Sequence, residues 1–569
     1  MLSMRILQLD CDSISYELVK PEASLYEDSA EKKTTIDDTL ALLVSVEKGD
    51  DNSIADKALE DVAKQMAQLK RKKLVVYPFA HLSSDLAEPK SAMALINYMA
   101  ERAASKNLEV RKAPFGWNKK LSIAIKGHPM AEQARSYGKD GADRVKKEKA
   151  APVEVNTSVV RKSDWSGLPE MDHRTIGEKL DLYSFQEVSP GMTYWHPNGH
   201  IIFRELFKYI REKLEEYGYQ EISTPAFANI ALWHVSGHDE HYKDNMFLFE
   251  AGGQQYGLKP MNCPSTFMVY KSRKWSYRDL PLRFADFDKL YRNEISGALT
   301  GLFRVRELTQ DDAHIFVRDD QVGDELVRVL NMIDELYKMF GLEYKAKIST
   351  MPDSHAGEKK EWDKATAKLK EALDRKGMKY EIKDKEGAFY GPKIDFDLKD
   401  SMGREWQCAT VQLDYQLPPK FGLEYTGEDG KQHMPAVIHR VIYGTLERFL
   451  GVLTEHCQGK FPLWLAPVQT MVISISEQSN KYAEAVHDEL RKKRIRSSLD
   501  ISDRTLEYKI REAQMQKVPY MVILGGKEEE KKAITIRDRA GKQKHDVPLD
   551  EFTKRIEKEI KDRNFKSEL

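Results

Sequence analysis

Between Tyr291 and Phe316 the chain reads YRNEISGALTGLFRVRELTQDDAHIF, the densest run of chemically capable side chains in the sequence. Three guanidinium groups, Arg292, Arg304 and Arg306, stand with Glu294, Gln310, Asp311, Asp312 and His314. Guanidinium forks hold pairs of phosphate oxygens. The carboxylates, the amide and the imidazole add partners for an amino group or a metal ion. This composition suits a phosphorylated ligand bound beside an amine or metal site. The same residue types also build surface lattices of ion pairs, and composition alone leaves both readings open.

The element that must position these groups is a long hairpin, two apolar-flanked strands around a loop that contains Gly297 and Gly301. Strand alternation puts Arg304 and Arg306 on one face, and Gln310, Asp312 and His314 together on one face. Upstream, Phe203, Phe207, Ile210, Leu214 and Tyr217 form the stripe of a long helix. Gly218 ends it, and a strand-like segment runs to Pro225. These elements belong to a large middle section, 170–464. Before it, residues 1–143 alternate strand and helix patterns: strands over Arg5 to Leu9, Leu40 to Val46 and Leu74 to Phe79, and a helix through Leu59, Val62, Met66 and Leu69. The polar, charged stretch between them predicts a linker over 144–169. From 465 to 569 the pattern of MVISIS, a helix after Asn480, RSSLDIS, a helix over Leu506 to Met515 and VPYMVIL predicts a small α/β domain.

A length of 569 residues corresponds to roughly three or four domains. Lys+Arg number 90 against 91 Asp+Glu, so nucleic-acid contact requires local basic surfaces, not a polycationic chain. Cys11, Cys263, Cys408 and Cys457 show no CxxC spacing and no disulfide framework, which suits a reducing, cytoplasmic compartment. No apolar run is long enough to span a membrane, and the N-terminus MLSMRILQLDCDS lacks a signal-peptide pattern.

Arg292-Asn293-Glu294 and the sequence onward to His314 resemble motif 2 of the class II aminoacyl-tRNA synthetases in its threonyl version. The segment 201–225 resembles motif 1, which in that family builds a dimer interface, and Gly444, Glu447 and Arg448 in VIYGTLERFLGVL resemble motif 3. The resemblance runs from Gly191 to Pro467 and on to about Asp550. It implies an ATP- and tRNA-using homodimeric ligase with an antiparallel-sheet catalytic domain. Arg292 would bind the α-phosphate of ATP with Mg2+, Arg448 the γ-phosphate and Arg304 the phosphates or the adenylate carbonyl, with Glu294 beside them. Lys393 in FYGPK would add a cation near the transferring group. His238 in GHDEHYKDNMF would help deprotonate the terminal ribose hydroxyl of the tRNA.

By the same resemblance Cys263, His314 and His439 are the ligands of one zinc ion per subunit, with a fourth position open. Taken alone, ligands 51 and 125 positions apart carry no spacing signal. Gln310, Asp312, Tyr390 and Gln412 match positions around the threonine. A metal that takes both the amino and the hydroxyl group excludes valine, which an apolar pocket rejects poorly. Ser265-Thr266 stand where many relatives have Gly-His.

Serine presents the same two groups, so a second sieve is expected. Residues 1–143 resemble the archaeal-type editing domain, itself similar to D-aminoacyl-tRNA deacylases. The resemblance rests on SVEK (45–48), YPFAHLSSDLA (77–87), KAPFGWNKK (112–120) and KGHPMAE (126–132). His81, Lys119 and Glu132 would form its pocket and hydrolyse seryl-tRNA(Thr), with Trp117-Asn118 in place of the usual tyrosines. The C-terminal domain resembles the anticodon-binding domain of the threonyl, prolyl, histidyl and glycyl enzymes, with Arg511, Glu528 and Arg537 near the anticodon. The charge run RKKRIR at 491–496 reads as a solvated face.

Overall fold

The computed structural model describes residues 3–21, 25–83, 85–106, 108–128, 130–138, 141–143, 165, 167–237 and 242–566. The expected linker 144–169 lies mostly outside these residues, and His238 lies wholly outside. The chain divides into two compact units, Met1–Glu154 and Val155–Leu569.

In the first unit a sheet runs in the order Glu109–Lys112, Lys73–Pro78, Lys33–Ser45, Ser3–Pro21, Glu132–Gly138, Gly141–Asp143. The strand Trp117–Ile125 pairs with Ser3–Pro21 off this path. Leu40, Leu42 and Val44 project alternately to one face, where they pack on Ile54, Leu59, Val62 and Met66 of the Asn52–Leu69 helix. That helix starts at Asp51, whose carboxylate accepts from the Ser53 and Ile54 amides, satisfying donors that a first turn leaves unpaired. Leu9, Cys11, Ala41, Leu43 and Tyr77 belong to a second core on the other face. The expected strands and helix of this unit are all present.

The second unit centres on an eight-stranded sheet ordered Gln220–Ile222, Leu282–Asp286, Asp312–Val317, Ala436–Val441, Glu405–Asp414, Lys393–Lys399, Tyr344–Ser349, Tyr380–Lys383. The inner pairings are antiparallel and the two outermost are parallel. Ala313, Ile315, Val317 and Ile438 share a core with the helices Pro197–Glu216, Val322–Met339 and Leu446–Cys457. Alternation then turns Asp312, His314 and His439 to the opposite face, where a cavity opens. On the Pro197–Glu216 helix the buried stripe is Ile202, Leu206, Tyr209, Ile210 and Leu214, with Phe203, Phe207 and Tyr217 partly buried along its edge. Gly218, at φ +73°, ends the helix, and the Tyr219 amide closes back on the Leu214 carbonyl at 2.9 Å.

The expected hairpin forms, with Lys289–Tyr291 antiparallel to Glu307–Thr309, but its arm contradicts one expectation. Residues 301–303 make a single helical turn, so strand alternation does not govern Arg304 and Arg306. Arg304 faces the cavity. Arg306 turns back to the carbonyls of Glu294 and Pro190 and the Ser296 hydroxyl. Gln310, Asp312 and His314 do share a face.

In the same unit a five-stranded sheet is ordered Ser497–Asp500, Thr470–Ser474, Tyr520–Leu524, Ile534–Asp538, Gln543–Val547. The helices Asn480–Lys492, Leu506–Met515 and Leu549–Asp562 accompany it, in line with the expected α/β pattern.

Candidate functional site

The cavity on the open face of the eight-stranded sheet has a volume of about 530 Å³. Arg292, Glu294, Arg304 and Arg448 line it together with Gln310, Asp312, Tyr390, Gln412, Cys263, His314 and His439. Residues scattered over 186 positions of sequence are thus gathered by sheet register.

Arg448 sits in the first turn of the Leu446–Cys457 helix, capped by Thr445. Its guanidinium donates to the carbonyls of Phe303 (2.9 Å) and Gln407 (2.7 Å). Burial, and then the charges of Arg292 and Arg304, lower its pKa from the ordinary value. Arg292 donates to the Pro260 carbonyl at 3.3 Å, and Arg304 pairs with Glu294 at 2.9 Å. Arg292, Arg304 and Arg448 thus face one cavity with Glu294 as the carboxylate paired among them, while Asp312 and Arg440 also line it, and such a cluster of cations favours a polyanion. Behind them Glu447 accepts from the Thr309 amide at 2.9 Å, and burial raises its carboxyl to about 7. Asp311 points away from the cavity and accepts from the amides of Ile442 and Tyr443, locking the Asp312–Val317 strand to the chain that leads into the Arg448 helix.

Cys263, His314 and His439 are buried, and their ligand atoms lie within 4.8 Å of one another. His314 and His439 are direct cross-strand partners, and Cys263 is the first residue of the Cys263–Lys271 helix. The His314 Nδ1 is buried with no hydrogen-bond partner. His439 directs Nε2 to the Asp414 carboxylate at 2.9 Å, an outer partner of the kind that fixes the tautomer of a metal-binding imidazole. Asp414 in turn accepts from the Gln416 and Leu417 amides. Burial pushes the Cys263 thiol well up, reinforced by the Asp312 and Asp414 charges, and pushes His314 well down. One soft sulfur and two imidazoles, one with an orphaned nitrogen, fit a transition-metal ion. Tyr390 donates to Gln412 Oε1 at 2.5 Å, and Asn262 donates to Asp312 at 3.3 Å. Burial raises Asp312 to about 6. Thr266 is buried, its hydroxyl on the Asn262 carbonyl, so the Ser265-Thr266 departure leaves the start of the Cys263 helix intact.

A second buried group, Asp172, His173 and Glu455, has comparable spacing. Every one of its side chains is already bonded. His173 spans Glu455 and the Leu302 amide, Arg174 grips Asp172, and Ser401 takes the second Glu455 oxygen. That group braces the Gly301–Phe303 turn whose carbonyl holds Arg448.

Lys393 does not line the cavity. Its ammonium pairs with Asp395 at 2.8 Å, and Asp395 is held in turn by Gln407 and Thr410, which do line it. Lining residues that sequence reasoning missed include Trp406, Cys408 and Thr410. They precede Gln412 at steps of two on the Glu405–Asp414 strand, so period-two counting back from Gln412 finds them. Tyr242, Asn245 and Met261 also line the cavity without any such signal.

The first unit holds its own cavity of about 440 Å³, lined by Tyr77, Phe79, Ala80, His81, Trp117, Asn118 and Lys119 among others. The short turn Ala80–Leu82 carrying His81 is clamped at both ends. The Ser45 hydroxyl donates to the Phe79 carbonyl, and the Ser83 hydroxyl to Glu47 at 2.6 Å. Lys119 donates to the Trp117 carbonyl at 3.3 Å and lies 4.9 Å from the centre of the Tyr77 ring. Burial lowers its ammonium to about 8. Glu132 is not brought into this cavity. It is exposed at the head of the Glu132–Gly138 strand, opposite Leu9.

In the C-terminal sheet Arg511 is exposed on its helix, and Arg537 sits on the Ile534–Asp538 strand with Nε buried and unbonded. Both Glu528 oxygens are used locally, by the Gly525 amide and the Thr535 hydroxyl. Its carboxylate closes its own turn, so the guanidinium groups are the free members of that set.

Three family models match the chain. "Archaea-specific editing domain of threonyl-tRNA synthetase" covers residues 4–137, "tRNA synthetase class II core domain (G, H, P, S and T)" 247–457 and "Anticodon binding domain" 469–559. The threonine--tRNA ligase of Thermotoga neapolitana is 50% identical over 399 residues, which is 70% of this chain and 62% of that protein. That of Carboxydothermus hydrogenoformans is 48% identical over 392 residues, 69% of this chain and 62% of its own. The chain thus spans less than two thirds of the length of these curated relatives. A crystal structure of the RNA binding domain of threonyl-tRNA synthetase from Cryptosporidium parvum superposes with a TM-score of 0.67 at 41% identity, covering 70% of this chain and 99% of that one.

Proposed function

The chain belongs to the threonyl-tRNA synthetase family, and on that premise we propose that it activates threonine with ATP, transfers it to tRNA(Thr) and hydrolyses seryl-tRNA(Thr) in its N-terminal unit. The observation that carries this reading is one cavity in which the three arginines and the Cys263–His314–His439 group face the same space. A phosphate clamp and a buried metal-binding triad side by side suit a ligase that must join ATP to an amino acid bearing a second ligand atom.

In this reading the threonine carboxylate attacks the α-phosphorus, the bond to the bridging oxygen breaks, and pyrophosphate leaves with the electron pair. Arg292 holds the α-phosphate, whose negative charge grows at that moment, with Glu294 orienting Arg304 beside it. Arg448, pinned on two carbonyls, holds the γ-phosphate. Their work is electrostatic and positional, with no protein nucleophile. Magnesium accompanies the ATP. Cys263, His314 and His439 would hold zinc, which when bound supplies a Lewis acid for the amino and hydroxyl groups of threonine. Gln310, Asp312, Tyr390 and Gln412 surround the amino acid. Lys393 acts from behind the wall through Asp395. In the second step the terminal ribose hydroxyl attacks the adenylate carbonyl and AMP leaves. We assign removal of the hydroxyl proton to His238.

For editing, a water attacks the seryl ester next to Lys119 and His81, and the serine departs from the ribose oxygen. The exposed position of Glu132 leaves it the weakest member of that set. Arg511, Glu528 and Arg537 serve the anticodon, Glu528 by shaping its turn. We further propose the domain limits 1–143, 144–169, 170–464 and 465–569, a homodimer formed through the segment 201–225, a cytoplasmic location and an archaeal source. The family resemblance supports these assignments.

Amino-acid-dependent ATP–pyrophosphate exchange on metal-assayed protein tests the central reading. Exchange is expected to be strong with threonine, weaker with serine and absent with valine, and to vanish when a chelator strips the metal and return with zinc. Equal exchange with valine, or none with any amino acid from folded, metal-replete protein, would overturn it. At the far domain, Arg537→Ala is expected to lower aminoacylation kcat/KM about tenfold, the scale of one lost nucleic-acid contact, with exchange unchanged. Equal losses in both assays would remove the anticodon assignment.

A further inference from the structure

A third cavity, of about 380 Å³, lies within the second unit and shares no lining residue with the two sites already described. It is formed where the end of the Leu446–Cys457 helix, the segment 460–462, the turn 538–540 and residues 565–566 meet. Its charged lining is Lys460, Arg539 and Lys566 against one acid, Asp538. The Asp538 carboxylate already accepts from the Lys542 amide at 2.9 Å.

Arg539 is the unusual member. Its Nη2 donates to the Phe461 carbonyl at 2.7 Å, its Nε is buried without an acceptor, and among the described residues it forms no ion pair. Glu559 accepts from the Tyr520 hydroxyl at 2.8 Å through one oxygen, keeps its other oxygen buried without a hydrogen bond, and acts on Arg539 through its charge without a direct ion pair. Burial lowers the Arg539 guanidinium to about 10. A guanidinium with a buried, unbonded Nε and no direct ion pair is costly to fold around. Lys460 and Lys566 stand beside it on the rim, so the cavity gathers three cations around one engaged carboxylate. Phe565 and the His456 ring, 5.7 Å apart, give the same cavity an aromatic wall.

We propose that this cavity is a binding site for a phosphate oxyanion, held by the Arg539 fork with Lys460 and Lys566. Planar guanidinium recognition of phosphate is strong and directional, and the adjoining rings suit the sugar or base that carries the phosphate. The phosphate belongs either to the backbone of an RNA lying along this unit or to a free phosphate or nucleotide. The RNA source rests on the function proposed above. The site itself does not.

The test uses the full chain and inorganic phosphate as probe, measured by equilibrium dialysis without amino acid or RNA. Lys460→Gln, on the exposed rim where folding is not at stake, and Arg539→Gln are each expected to bind one phosphate fewer per chain than the parent. Arg292→Ala, in the other cavity, should keep that phosphate. Threonine-dependent exchange should be unchanged in the Lys460 and Arg539 variants. An undiminished phosphate stoichiometry in Lys460→Gln and Arg539→Gln would overturn the proposal. Transcribed tRNA(Thr) then identifies the source. A backbone phosphate predicts an affinity lower by about fivefold and a salt slope shallower by about 1 in the same variants. A free phosphate predicts an unchanged slope with the dialysis loss intact. Because dialysis involves no aminoacylation, failure of the enzymatic reading would leave this result standing, and the reverse also holds.

Discussion

Arg448→Ala should lower threonine-dependent pyrophosphate exchange by about 10²–10³-fold, the scale of losing one preorganised donor to developing charge, while its thermal midpoint stays near that of the parent. Two opposed changes produce the second half of this expectation. The variant loses the hydrogen bonds to the Phe303 and Gln407 carbonyls. It also relieves a cluster in which burial, Arg292 and Arg304 already disfavour the charge. Sites that hold like charges together to bind a polyanion do so at some cost in stability. Arg448→Lys should recover little activity, because an ammonium cannot satisfy two carbonyls and a phosphate from the same plane. Steady-state kinetics and calorimetry on the two variants check both halves. Full activity in Arg448→Ala, or a collapse in its thermal midpoint, would refute the placement of this residue as a phosphate donor braced from behind.

Lys119→Ala should slow hydrolysis of seryl-tRNA(Thr) by about 10²–10⁴-fold, the range for a positioned proton-transfer group. The pH profile is the sharper test. Burial lowers this ammonium to about 8, so roughly a tenth of it is neutral at pH 7, far above an ordinary lysine. If the neutral amine takes the proton of the attacking water, the deacylation rate relative to the variant rises about tenfold per unit below pH 8 and flattens above it. A rate that instead falls through pH 8 would assign the ammonium an electrostatic role. Stability follows with a definite sign. The unfolded chain binds the proton more tightly than the folded one between about 8 and the ordinary lysine value, so stability rises with pH across that window. Lys119→Met should therefore be more stable than the parent at neutral pH, and the difference should close in strong alkali.

Local patterns were legible in the chain: the long helix, though its buried stripe centres on Ile202, Leu206, Tyr209, Ile210 and Leu214 and leaves the expected Phe203, Phe207 and Tyr217 at the edge, the hairpin, and the alternating strands of both flanking domains. Their period belongs to each element alone. Long-range meetings were legible only through family resemblance, because no spacing rule connects Cys263 with His314 and His439. What joins them is sheet register, set by which strands neighbour one another. Arg306 was misplaced because a one-turn helix at 301–303 breaks the alternation that strand counting assumed. Lys393 and Glu132 show a different limit. Both sit in the right motif, yet side-chain direction turns one toward Asp395 and the other to solvent. The lining residues Trp406, Cys408 and Thr410 were within reach of simple counting from Gln412 on the same strand.

The His314–His439 cross-strand pair has one more consequence. A slip of one residue between those two strands would send one imidazole to the helix-packed face and scatter the ligand set. An ion that needs both imidazoles therefore reads the alignment of the two central strands, and chains with a shifted sheet cannot retain it. With the metal proposed above, metal content in a purified preparation would be a proofreading mark of assembly, separating correctly aligned molecules from compact but misaligned ones that spectroscopy of secondary structure would count as native.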